Sequence, residues 1–156
     1  MHSIIPESKK PRIVVVGGGF GGIEFCKKLK HADYQVVLID KHNYHTFQPL
    51  LYQVATGGLE AESIAFPLRK IFKGQENLIF RVAKVNQVDT VNNTLDTSIG
   101  KIAYDYLIIA TGSTSNYFGQ LPIEQNTMPM KSILEALNLR SVILQNLESS
   151  LVAKSA

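Results

Sequence analysis

Cysteine is almost missing from this chain: among 156 residues Cys26 is the single one. No internal disulfide can form, and neither a C-x-x-C nor a C-x4-C pair exists to carry dithiol chemistry. A lone thiol beside Phe25 in a helical pattern reads as a packing residue, and one cysteine fits a reducing cytoplasm. Long apolar runs are also lacking. The first eleven residues are polar apart from Ile4-Ile5 and end Lys9-Lys10-Pro11. They are too short and broken for a secretory signal, so residues 1–11 are expected as a flexible leader, and nothing later is long enough to span a bilayer. The charge balance is only mildly basic, at +3, with scattered lysines and no arginine–aromatic stripe, which argues against nucleic acid as a partner. Repeats and low-complexity segments are absent.

What is present is glycine in one arrangement. Residues 13–22 read Ile-Val-Val-Val-Gly-Gly-Gly-Phe-Gly-Gly, a buried-strand pattern running into G-x-G-x-x-G. An amphipathic helix follows (Ile23, Phe25, Cys26, Leu29), then a second apolar run, Val36-Val37-Leu38-Ile39, ending in Asp40. This is the sequence form of a dinucleotide-binding βαβ unit. Gly17 permits the tight turn off the strand, Gly19 lets backbone approach a pyrophosphate, and Gly22 lets the helix pack closely on the sheet. The helix starting near Phe20 aims its unpaired N–H groups and positive dipole end at the diphosphate. Asp40 suits a ribose acid: a carboxylate accepts from ribose hydroxyls and repels a 2′-phosphate, which favours FAD or NAD over NADP. Lys41 alone makes no 2′-phosphate clamp. The plainer readings are a glycine-rich turn without a ligand and a solvated strand-end acid.

Further along, 41–49 reads as a polar-aromatic loop, and 50–56 as a short helix stopped by Gly57-Gly58. Residues 60–73 have helical spacing split at Pro67. Residues 78–91 predict a strand, Asn92-Asn93 a turn, and 94–97 with 101–103 short return strands. Tyr106-Leu107-Ile108-Ile109-Ala110 predicts a central parallel strand, with Thr111-Gly112 as a second glycine turn at its carboxyl end. Residues 131–152 predict a long amphipathic helix carrying Ile133, Leu134, Leu137, Leu144, Leu147 and Leu151 on or near one stripe. The fold class is α/β: a Rossmann-like domain with a central parallel sheet, helices on both faces and a small antiparallel β-meander. Its expected divisions are the leader 1–11, a dinucleotide-binding portion 12–130 and the helix segment 131–156.

Two blocks complete a recognisable pattern with the glycine turn: Phe47-Gln48-Pro49-Leu50-Leu51-Tyr52-Gln53-Val54-Ala55-Thr56-Gly57 and Tyr104-Asp105-Tyr106-Leu107-Ile108-Ile109-Ala110-Thr111-Gly112-Ser113. With Asn116-Tyr117-Phe118-Gly119 and Thr127-Met128-Pro129-Met130-Lys131, the chain resembles the type II NADH:quinone oxidoreductases, non-proton-pumping NADH dehydrogenases of the two-dinucleotide-binding-domain flavoprotein superfamily. The glycine turn and the Ala-Thr-Gly turn are superfamily-wide; the Phe47–Gly57 block is more specific. The resemblance spans nearly everything after residue 11.

The resemblance implies noncovalent FAD held at Gly17, Gly19, Phe20 and Gly22, with Asp40 and the Lys41 backbone at the adenosine ribose. It puts Val85 at the adenine edge, Gln48 and Pro49 toward the isoalloxazine, and Ala110, Thr111 and Gly112 over the flavin side of the diphosphate. His42 and His45 invite a metal or acid–base reading, but nothing supplies further ligands at useful spacing, so they read as polar loop residues near the cofactor and no metal is expected. Family members continue into a second G-x-G-x-x-G domain for NADH and a quinone- and membrane-facing segment. This chain stops at Ala156, so it is expected to be the N-terminal FAD-binding portion only, incomplete relative to the family and not competent for turnover alone. The implied activity is an FAD-dependent oxidoreductase of the respiratory chain passing electrons from NADH to a quinone. It would be cytoplasmic, or peripheral on the cytoplasmic face of the inner membrane, with membrane association only through absent segments and a homodimer left open. The alternatives are an FAD- or NAD-binding module without turnover, or another superfamily oxidoreductase such as a ferredoxin reductase. The lack of a redox cysteine pair argues against sulfide and disulfide chemistry.

Overall fold

The computed structural model describes residues 5–152. Residues 1–4 of the expected leader and 153–156 of the expected final segment lie outside the described residues. The described chain divides into two compact units, one from residues 5–45 with Pro67–Gly112 and the other from Thr46–Phe66 with residues 113–152. Residues 113–130, grouped from sequence with the glycine turn, therefore belong with the final helix.

The first unit is built on a four-stranded parallel sheet. Its strands are β1 (Arg12–Val16), β2 (Gln35–Asp40), β5 (Leu78–Val82) and β9 (Tyr106–Ile109), in the order β5-β2-β1-β9. Val14 of β1 lies opposite Val37 of β2 and Leu107 of β9. Alternation along the strands gives each face its own core. Val15, Val36 and Leu38 pack with Ile23 and Cys26 of α1 (Phe20–Lys28) and with Leu68 of α3 (Leu68–Ile71). Val14, Val37 and Ile39 pack instead with Leu95 and Ile102. These two belong to a three-stranded antiparallel meander, β6 (Val85–Asp89), β7 (Thr94–Thr97) and β8 (Gly100–Ala103). Helices thus cover one face and the meander the other, where the sequence pattern leads to helices on both. The meander has enough apolar side chains pointing one way to do a helix's work.

Three local expectations change. The single strand expected over 78–91 is two strands in different sheets, because the chain turns at Ala83-Lys84; the Ala83 N–H donates to the Asp40 carbonyl at 2.9 Å. The run 106–110, expected as a central strand, lies at an edge of the four-stranded sheet, with Tyr106 and Ile109 exposed. The leader, in its described part, is anchored at one residue: Ile5 is 3% exposed and belongs to the meander-side core, while residues 6–11 are exposed. The Pro6 carbonyl accepts hydrogen bonds from Arg12 Nη2 at 3.2 Å and Gln35 Nε2 at 2.9 Å. The meander's first turn is held by Asp89. Its carboxylate accepts from the Asn92 side-chain amide and from the Asn92 and Val91 N–H groups, which keeps it below the usual carboxylate range.

Short strands β3 (Tyr44–Thr46) and β4 (Ala65–Pro67) pair with each other where the chain passes between the units. The segment 60–73, expected as a helix split at Pro67, is a 3-10 turn, then β4, then α3. The second unit holds a 3-10 turn at Gln48–Leu50, α2 (Leu51–Ala55), α4 (Leu121–Asn126) and α5 (Ile133–Val152). Leu51, Val54, Ala55 and Ile64 pack with Ala136, flanked by Ile133, Leu137 and Leu139. The start of α5 is a reciprocal capping box: Glu135 Oε2 accepts from the Ser132 N–H at 2.9 Å, and Ser132 Oγ from the Glu135 N–H at 3.3 Å. Of the expected stripe, Leu134 near the start of α5 and Leu144, Leu147 and Leu151 toward its end are exposed.

Candidate functional site

Every parallel strand delivers its carboxyl end to one edge of the sheet, where ligands of open α/β sheets bind. At that edge β1 runs into Gly17, whose N–H donates to the Ile39 carbonyl at 2.8 Å. Gly17 has φ +112°, a conformation that side chains rarely adopt, and a Cβ there would run into the Ala110 carbonyl oxygen. The two glycine turns therefore meet backbone to backbone. The Ala110 N–H ties this meeting to β1 by donating to the Val16 carbonyl at 2.8 Å. Gly22 is equally committed, since its Cβ would collide with the Gly17 carbonyl oxygen.

Gly19 differs. It is exposed, has φ −79°, and a Cβ built on it meets nothing within 4 Å. The fold does not need a glycine there. Gly19 is the N-cap of α1, no side chain caps that terminus, and its first turn carries no acid, while Lys27 and Lys28 sit in the last turn. The helix thus presents its positively polarised end at this edge of the sheet without a side-chain cap.

Beside this end lies a groove of about 230 Å³ lined by Val16, Gly17, Ile39, Asp40, Lys41, Ala83, Lys84, Val85 and Thr111. It brings together Gly17, Asp40, Lys41, Val85 and Thr111 of the residues read from sequence. Phe20 begins α1, and Gly112, with φ +73° and open space around it, follows Thr111. Gln48 and Pro49 are exposed in the 3-10 turn of the second unit, where Gln48 Nε2 donates to the Lys131 carbonyl at 3.4 Å.

Asp40 is half-buried, and its carboxylate is already engaged. Oδ2 accepts from the Gly18 N–H at 2.6 Å and Oδ1 from the His42 N–H at 2.7 Å. Each oxygen keeps a second acceptor site for a ligand hydroxyl. Sequence reasoning missed Lys84, a second cation at the groove, whose only sequence signal is its place beside Val85. His45, which reads from sequence as a polar loop residue near the cofactor, lies on β3 and is buried at 8% exposure, with Nδ1 3.1 Å from the Gly18 carbonyl oxygen. Among the described residues no three His, Cys, Asp or Glu side chains group closely enough to hold a metal ion, and no helix is long and apolar enough to cross a membrane. Cys26 is buried in the helix-side core, and burial pushes its thiol up to about 12.

Known proteins resemble this chain in sequence and in fold. Over 146 residues the chain is 38% identical to the type II NADH:quinone oxidoreductase Ndh of Mycobacterium tuberculosis and 41% identical to NdhA of the same organism. These alignments cover 91% of this chain but 32% and 31% of the relatives, so the chain spans about a third of their length. Among solved structures, NDH2 from Plasmodium falciparum in complex with NADH superposes with a TM-score of 0.83 at 27% identity, over 95% of this chain and 32% of that one. The sulfide:quinone oxidoreductase from Aquifex aeolicus superposes with a TM-score of 0.76 at 33% identity, over 89% of this chain and 32% of that one. The family model for pyridine nucleotide-disulphide oxidoreductases matches residues 11–150. With the strand–glycine–helix turn, the acid ending β2 and the second glycine turn in one edge of one sheet, the chain belongs to the pyridine nucleotide-disulphide oxidoreductase family.

Proposed function

We propose that these residues bind FAD noncovalently as part of an oxidoreductase that passes electrons from NADH to a quinone. The observation that carries the reading is Gly19. A position where the protein itself tolerates a side chain, at an uncapped helix N-terminus beside a groove, is what close approach of a diphosphate requires. In this reading Gly17 and Gly22 shape the turn, Gly19 and the first turn of α1 from Phe20 face the pyrophosphate, and Asp40 and Lys41 meet the adenosine ribose. Val85 borders the adenine, and Ala110, Thr111 and Gly112 flank the diphosphate from the other turn. Gln48 and Pro49 are assigned to the isoalloxazine on their motif alone. A bound flavin supplies the two-electron chemistry; the protein binds it, orients it and controls its access to water.

NADH and quinone enter from the likeness to type II NADH:quinone oxidoreductases, as does a peripheral position on the cytoplasmic face of a membrane. The buried, hard-to-ionise Cys26 supports this reading over the disulfide branch of the superfamily, which needs an accessible thiolate. The test is a titration of the apo-protein with FAD, followed by quenching of flavin fluorescence. Saturable binding that denaturation releases is expected, with adenosine diphosphate competing. A folded chain that binds neither FAD nor adenosine diphosphate would overturn the proposal.

A further inference from the structure

Gly18 is gripped through both of the peptide groups that meet at its Cα, by side chains from separate strands. Its N–H donates to Asp40 Oδ2 at 2.6 Å, from the end of β2. Its carbonyl oxygen lies 3.1 Å from His45 Nδ1, on β3. A carbonyl can only accept, so Nδ1 must carry the proton, which fixes the imidazole tautomer. The ring is held in turn by Phe20, edge to face at 4.8 Å between centroids and 83° between planes. Phe20 opens α1, so the imidazole touches the glycine turn at Gly18 and the helix that follows it. Gly18 is itself buried, and a Cβ there would meet Leu68 Cδ1 at 2.7 Å and Asp40 Oδ2 at 3.3 Å, so this residue is enclosed on its remaining side too.

We infer that His45 is a positioning residue for diphosphate binding: Asp40 holds the peptide before Gly18 and His45 the peptide after it, which carries the Gly19 N–H, and together they fix the direction in which Gly19 and the first turn of α1 present their N–H groups. The inference rests on the dinucleotide reading above and goes beyond it by giving a role to a histidine that lines no part of the groove. The physical reason is preorganisation. A loop held in its bound geometry loses little conformational freedom when the ligand arrives, whereas a turn fixed at one end must be ordered then. In the dinucleotide reading adenosine meets Asp40, Lys41 and Val85 while the diphosphate faces Gly19 and the first turn of α1, so the effect belongs to the diphosphate. Of the possible replacements, asparagine places an amide nitrogen on Cγ where the imidazole has Nδ1, and phenylalanine keeps the ring without a donor.

The experiment compares the whole chain with its H45F and H45N variants. FAD, adenosine diphosphate and adenosine are titrated into each, and amide exchange at Gly18 is followed by NMR without ligand. His45→Phe is expected to weaken FAD and adenosine diphosphate about tenfold, or about 1.4 kcal/mol, leave adenosine unchanged and speed Gly18 exchange about tenfold. His45→Asn should restore all three. Unchanged exchange in H45F overturns the inference, as does an equal loss of adenosine, which marks general damage to the fold. If the parent chain binds neither FAD nor adenosine diphosphate but Gly18 exchange still depends on the donor, the clamp stands and the dinucleotide reading falls.

Discussion

Two glycines three residues apart should respond oppositely to the same methyl group. At Gly22 the added carbon would be driven into the Gly17 carbonyl oxygen, with Val15 Cγ1 a further 3.5 Å contact. Neither side can yield cheaply, since Gly17 is anchored by its N–H to Ile39 and Gly22 is inside α1. Overpacking of this kind costs about 1–3 kcal/mol, and a backbone obstacle puts it toward the upper end. At Gly19 the methyl meets no protein atom, and φ −79° suits any residue. Alanine gains about 0.4–1 kcal/mol by restricting the unfolded chain and loses roughly as much as a poorer N-cap than glycine. The net change is small, so Tm should move by no more than about 2–4 °C. Ligand binding reverses the order: a methyl between Gly19 and the diphosphate removes one charge-assisted hydrogen bond, about 1.5–3 kcal/mol, or about 10- to 150-fold in affinity. Urea denaturation and FAD titration on Gly19→Ala and Gly22→Ala separate the two effects. If Gly19→Ala is as unstable as Gly22→Ala, or keeps the parent's affinity for FAD, the diphosphate does not lie against Gly19.

Asp40→Asn offers one acceptor oxygen where the carboxylate offers two, so either Gly18 or His42 loses its partner. Stability should fall by about 1–3 kcal/mol and FAD binding should weaken; an unchanged titration would remove Asp40 from the site. Cys26 has a folded-state pKa of about 12 against an ordinary 9.0. The folded form holds this proton more tightly than the unfolded one, so the contribution is complete below pH 9 and is lost between pH 9 and 12, at up to about 1.4 kcal/mol per pH unit. The urea midpoint of Cys26→Ala should decline less over that range, and the native thiol should resist a thiol reagent until the protein unfolds. A polypeptide of these 156 residues contains one G-x-G-x-x-G turn. Loaded with FAD and mixed with NADH in a stopped-flow instrument, it should keep its flavin absorbance; rapid bleaching would show that these residues alone position NADH.

Much of the first unit was legible because its signals are local. In Ile13-Val14-Val15-Val16 four apolar residues run straight into Gly17, whose φ of +112° the fold requires. The turn at Asn92-Asn93 was equally plain, and Asn93 has φ +49°. The stop of α2 also follows from its glycines, Gly57 taking φ +77°. The hold on Gly18 was not legible. It joins residues 22 and 27 positions away from it, and neither Asp40 nor His45 carries any mark in sequence of which backbone group it will meet. The place of Asp40 at the end of an apolar run points to a ligand, and nothing local marks its bonds to Gly18 and His42.

The edge strand and the last helix mark a different limit of pattern reading. An apolar run reports what a segment could bury, and nothing in it says where the covering surface comes from. Tyr106-Leu107-Ile108-Ile109 reads as central because all four residues are suited to burial on both faces. Pairing with β1 satisfies one side of the strand, and no described strand pairs with the other. In α5 the same logic divides one helix in two. Ile133, Ala136 and Leu137 meet α2 and its neighbours, while Leu144, Leu147 and Leu151 continue the spacing into solvent. The period is unbroken across the change, so the sequence alone cannot locate it. What ends the burial is the length of the partner: α2 spans five residues, about 7.5 Å at 1.5 Å per residue, against twenty in α5. A short helix can cover only the first turns of a long one, however regular the long one's stripe.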